Sequence, residues 1–134
     1  MTELTRQCLA LSYDNRVRLI KALQRSLHDN EIAAKRFEEL LSIARDIVGY
    51  GIMGDSRDLN PVIGRRMIAY QMRQEGYSSP LIGSLLRKDH TSVLHMARMM
   101  EDAIKFQFRP ELTYWEEFQQ KLKEYEEKIS SEVV

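Results

Sequence analysis

Three observations predict an all-α fold. Apolar residues recur at three- and four-residue spacing through most of the chain, no alternating strand pattern is long enough to build a sheet, and Gly and Pro fall between the periodic runs. About six helices follow, in order. Val17, Ile20, Leu23 and Leu27 mark the first, and Phe37, Leu40, Leu41, Ala44, Ile47 and Val48 the second. Gly49, Gly51 and Gly54 then open a loop that runs through Asp58. Asn60-Pro61 starts the third helix, with Asn60 as N-cap, and this helix ends near Glu75 and Gly76. Ser79-Pro80 repeats the start signal for a short helix to about Arg87. The fifth runs from about Asp89 to Phe106, and Pro110 separates it from a sixth over about Glu111 to Ser130.

The composition is that of an ordinary globular protein, with 30% charged and 43% hydrophobic residues in 134. No apolar run approaches the roughly 18 residues of a membrane span, and the first residues lack the basic, apolar start of a signal peptide. A cytoplasmic location is expected. Cys8 stands alone, cannot form an internal disulfide, and reads as a small apolar filler. The net charge of zero hides an uneven distribution: +1 over residues 1–48, +3 over 49–109 and −4 over 110–134. A mildly basic middle and an acidic tail are compatible with a localised nucleic-acid footprint.

The informative stretch is Ile82-Gly83-Ser84-Leu85-Leu86-Arg87-Lys88-Asp89-His90-Thr91-Ser92-Val93-Leu94-His95. It reads as a short helix, a tight basic turn and a second helix whose first turn carries four polar groups. In a helix-turn-helix the first helix braces the backbone, and the N-terminal residues of the second meet base edges. Ile82, Leu85 and Leu86 supply one apolar face, and Val93, Leu94, Ala97 and Met100 the other. Asp89, His90, Thr91 and Ser92 remain at the exposed start, with His95 about one turn further on. A carboxylate can accept from cytosine N4, hydroxyls can pair with either kind of base, and a Thr methyl can meet a thymine methyl. The simpler reading is that Asp89 caps the helix while Thr91 and Ser92 satisfy first-turn amides.

The same stretch resembles the IG…RDHTTVLHA motif of the C-terminal duplex-DNA-binding domain of the bacterial replication initiator family, DnaA. Ile47-Val48-Gly49-Tyr50 looks like that domain's opening helix, and Arg65-Arg66-Met67-Ile68-Ala69-Tyr70 like its RQIAMY helix. The resemblance covers about residues 43–105. It implies a helix-turn-helix domain over residues 43–108, between an N-terminal helical extension (1–42) and an acidic amphipathic C-terminal helix (109–134). It further implies that Asp89, His90, Thr91, Ser92 and His95 read the major groove. Lys88 and Arg65 would meet the DNA backbone, and Arg57, eight residues before Arg65, would enter the minor groove. The chain departs from the pattern in a tighter turn before Lys88, in Met96 where a small Ala is usual, and in Asp55 and Asp58 flanking Arg57.

No P-loop motif is present, so a reader of origin-type boxes without an ATPase is expected, controlling replication initiation or transcription. The expected partner is double-stranded DNA, with no nucleotide, cofactor, metal or membrane, and no enzymatic activity. His90 and His95 are five residues apart, not the four of a helical zinc pair, and no nucleophile accompanies Asp89 and His90. The Trp115–Ile129 stripe has two readings: packing on the chain's own N-terminal helices, or docking a partner or second copy. The competing functions are a protein-interaction module that kept the fold and lost DNA binding, and a dimeric repressor or antitoxin-like protein.

Overall fold

The computed structural model describes residues 13–133, and side chains for 15–132. Every regular element among them is a helix: α1 (Tyr13–Val48), α2 (Leu59–Gln74), α3 (Ser79–Leu86), α4 (His90–Lys105) and α5 (Glu111–Val133). Five helices stand among the described residues where six were expected over the chain, and the first two runs are one helix of 36 residues. The segment between them, His28 to Arg36, holds no Gly or Pro and is rich in Glu, Ala, Lys and Arg, so nothing stops propagation. Cys8 lies outside the described residues.

The chain divides into compact units at Ala33–Ala34, nine residues before the expected boundary, and residues 109–134 share the unit of 43–108. The physical reason is the core. Phe37, Leu40, Leu41, Ala44 and Val48 of α1 are buried in one cluster with Ile63, Met67, Ile68 and Met72 of α2. Ile82 and Leu86 of α3, Val93 and Met100 of α4, and Phe118 and Leu122 of α5 complete it. Residues 34–134 therefore fold around one apolar centre.

That result decides between the two readings of the last helix. Trp115 stacks on Phe118 at 5.7 Å and meets Tyr70 edge-on at 5.2 Å. Gln119 Nε2 donates to Gln71 Oε1 at 2.9 Å, and Tyr114 donates to Asn60 Oδ1 at 3.3 Å. The stripe, read as packing on its own chain or as docking a partner or second copy, is largely spent on the chain's own core, leaving Ile129 exposed. Arg36 joins three helices: its guanidinium donates to Glu75 at 2.7 Å and 3.1 Å, to Glu126 at 3.0 Å and to Glu39 at 3.2 Å. Burial opposes its charge, but Glu75, Glu126 and Glu39 outweigh that and hold its pKa above the ordinary value.

Two start signals shift by a residue or two. The N-cap of α2 is Asp58, not Asn60, and its side chain makes no capping bond. The cap of α3 is Ser78, whose hydroxyl accepts from Leu81 N at 3.4 Å, with Pro80 inside the first turn. Among the described residues no helix is long and apolar enough to cross a membrane.

Candidate nucleic-acid interface

Helices α3 and α4 are joined by only three residues, Arg87, Lys88 and Asp89. The turn closes because Lys88 N donates to Gly83 O at 2.9 Å, and because Arg87 takes the left-handed conformation, φ 60°. Gly83 permits the approach: a Cβ there would sit 2.5 Å from Lys88 O and 3.4 Å from Asp89 C, both backbone atoms. Helix α4 then packs across α2, α3 and α5.

The first turn of α4 separates the expected reading residues into two pairs. Asp89 is the N-cap, and its Oδ1 accepts from Ser92 N at 2.7 Å. The bonds from Ser92 hold the Asp89 carboxyl below the usual carboxylate range. Asp89 and Ser92 are thus tied to each other, and Ser92 is half-buried. His90 and Thr91 are exposed and have their side chains outward. His95, four residues past Thr91, shares its exposed face, and Arg98 extends that face by another turn.

Leu94 does not join the core. It is 46% exposed, and the buried side of α4 is instead Val93, Met100 and Ala103 with Met96 and Ile104 packed beside them. At 100° per residue Leu94 lies nearer to Thr91 and Arg98 than to Val93, so the seven-residue step from Thr91 to Arg98 was the available signal. Leu94 and Arg98 also border a cleft of 350 Å³ shared with Tyr70, Arg73 and Glu101.

Arg65 and Lys88 stand differently from the expectation that both meet phosphate. Arg65 is 7% exposed. One guanidinium nitrogen donates to the carbonyls of Gly51 (3.4 Å), Ile52 (3.1 Å) and Gly54 (3.0 Å), and the other to Ser56 O. Desolvation lowers its pKa, with Asp55 opposing and Arg66 adding to the shift. Arg65 therefore holds the loop from Gly51 to Ser56 by its main chain. Lys88 Nζ donates to Asp55 Oδ1 of the same loop at 2.6 Å, and that bond and charge hold the Asp55 carboxyl low. Arg57 rides on the loop so fastened, exposed and with no protein partner among the described residues. Of the two acidic residues that flank Arg57, Asp55 is thus engaged by Lys88.

No protein-family model matches the chain, and no curated protein matches it significantly. Among the described residues no group of three or more His, Cys, Asp or Glu side chains is placed to hold a metal ion.

Proposed function

We propose that this chain is a sequence-specific binder of double-stranded DNA, a helix-turn-helix protein resembling the C-terminal domain of the DnaA family. The observation that carries the reading is the start of α4. A three-residue turn that Gly83 makes possible leads into a helix whose exposed face displays His90, Thr91, His95 and Arg98. That is the arrangement in which a recognition helix meets base edges. Here His90, Thr91 and His95 read the major groove, with Asp89 and Ser92 shaping the turn that presents them. Arg57 reaches the neighbouring minor groove from the loop clamped by Arg65. The biological setting is control of replication initiation at initiator-type boxes, or transcription regulation from similar sites.

The test is fluorescence anisotropy with an initiator-box duplex and a scrambled duplex at two salt concentrations. A preference for the box, with affinity falling as salt rises, is the expected result. His90→Ala and Thr91→Ala should each cost about 1–3 kcal/mol of sequence discrimination. Equal, feeble binding to both duplexes would remove the proposal and leave a protein-interaction module.

A further inference from the structure

A cavity of 400 Å³ lies between α1, the loop that follows it and the end of α3. Arg45 of α1 and Arg87 of the turn both line it, with Glu38, Met53 and Ser84. Neither guanidinium is paired with a carboxylate among the described residues. Arg45 carries the clearer signal. Its Nε is buried and meets no acceptor among those residues, which is costly for a charged donor and asks for a group that completes it. The guanidinium carbon stands 5.8 Å from the centre of the Tyr50 ring, so an aromatic face orients the fork without using its donors. Both arginines stand at helix C-termini, since α1 ends at Val48 and α3 at Leu86. A cation there offsets the macrodipole, but that effect asks only for charge and leaves the Nε donor unexplained.

We infer that Arg45 and Arg87 together hold one phosphate group of the bound duplex. The inference rests on the duplex reading above and adds a contact outside the stretch from Lys88 to His95. A guanidinium presents paired N–H donors in one plane, which fits two oxygens of a phosphate. The rest of the lining leaves that role to the arginines. Ser84 Oγ already donates its one proton to Leu81 O at 2.7 Å. Glu38 lies seven residues before Arg45, about 10.5 Å along the helix, so its charge falls toward the other end of the cavity. Position points to a phosphodiester. Met53 belongs to the loop that carries Arg57, Arg87 directly precedes Lys88, and the Lys88–Asp55 bond ties that turn to that loop. The cavity is therefore walled by the two elements that face DNA in the proposed complex. A phosphate held there fixes the register of the duplex without reading its sequence.

The test is anisotropy with the initiator-box and scrambled duplexes over a salt series, with Tm measured for each protein. Arg45→Gln and Arg87→Gln should each weaken both duplexes alike and leave the preference for the box unchanged. The double variant should lower the log–log salt slope by about one unit, the count for a single phosphate. A fall of about two would mean two separate phosphates and would overturn the shared site. Arg45→Lys should recover only part of the affinity, because an ammonium cannot make the forked contact. Free phosphate is the other source of the same chemistry. A Tm raised by inorganic phosphate over chloride at equal ionic strength, lost in Arg45→Gln while the duplex slope stays unchanged, would overturn the duplex assignment. Box preference in the wild type with an unchanged slope in the double variant sinks this site alone. Equal, feeble binding of both duplexes by the wild type sinks the duplex reading and this site with it.

Discussion

Replacing Arg65 by Ala separates two roles for this residue, loop clamp and phosphate contact. A hydrogen bond from a charged donor contributes about 1.5–3 kcal/mol, and a buried acceptor left alone keeps its desolvation cost. Of the four carbonyls that Arg65 serves, Ile52 O is the fully buried one, while those of Gly51, Gly54 and Ser56 can recover water. Counting the first at about 2 kcal/mol and the others at about 0.5 each gives a loss of about 3–4 kcal/mol. For a chain of this length that is on the order of a 10 °C fall in Tm, or about 1.5–2 M in the urea midpoint. Arg65→Lys keeps the charge but is a single point donor, so it should recover only part of the loss. Thermal and urea unfolding of the three proteins provide the readout. A Tm within about 2 °C of wild type for Arg65→Ala, with affinity for every duplex falling alike and the salt slope dropping by about one, would refute the clamp and restore the phosphate contact.

Other perturbations test neighbouring parts. Asp55→Asn releases Lys88 from its partner at 2.6 Å, so binding to all duplexes should strengthen and the log–log salt slope steepen by about one unit. Anisotropy over a salt series reads this, and an unchanged slope would show that Lys88 never reaches phosphate. Gly83→Ala drives a Cβ against Lys88 O and should cost about 1–3 kcal/mol while weakening binding; wild-type Tm and affinity together would contradict the account of the turn. Arg87→Gly relieves a left-handed residue worth about 1–2 kcal/mol of strain, so Tm should rise while DNA affinity falls with the lost cation. The Asp55 and Asp89 carboxyls both have lowered pKa values in the folded chain. Their contribution is therefore complete above the ordinary Asp value of about 4 and is lost as pH falls through the lowered ones. Urea midpoints measured down through that window should fall, and the fall should be shallower in Asp89→Asn.

The helical class and the starts of α4 and α5 were legible in the sequence, because periodicity and the Asp89 and Pro110 signals acted locally. The junction near residue 30 was not. Two separate apolar runs read as two helices, but without Gly or Pro between them the backbone had no reason to leave the helix. Leu94 was assigned to the core on its chemistry; only the phase of α4 against its neighbours puts it outside. The candidate site was legible in its composition and less so in its division of labour. The resemblance implied DNA contacts for Arg65, Lys88 and Arg57, but a sequence lists cations without their partners. Nothing in the residue order said that Arg65 would meet main-chain oxygens across 9 to 14 positions.

Arg65 grips main-chain oxygens alone, so its hold is indifferent to which side chain the loop displays at position 57. That position can change without loosening what fixes the loop's path, whereas Asp55 is tied to Lys88. In a protein that reads DNA, position 57 is an exchangeable tip on a fixed mount. Drift or design could alter a minor-groove preference there, leaving the core and α4 to fold as before.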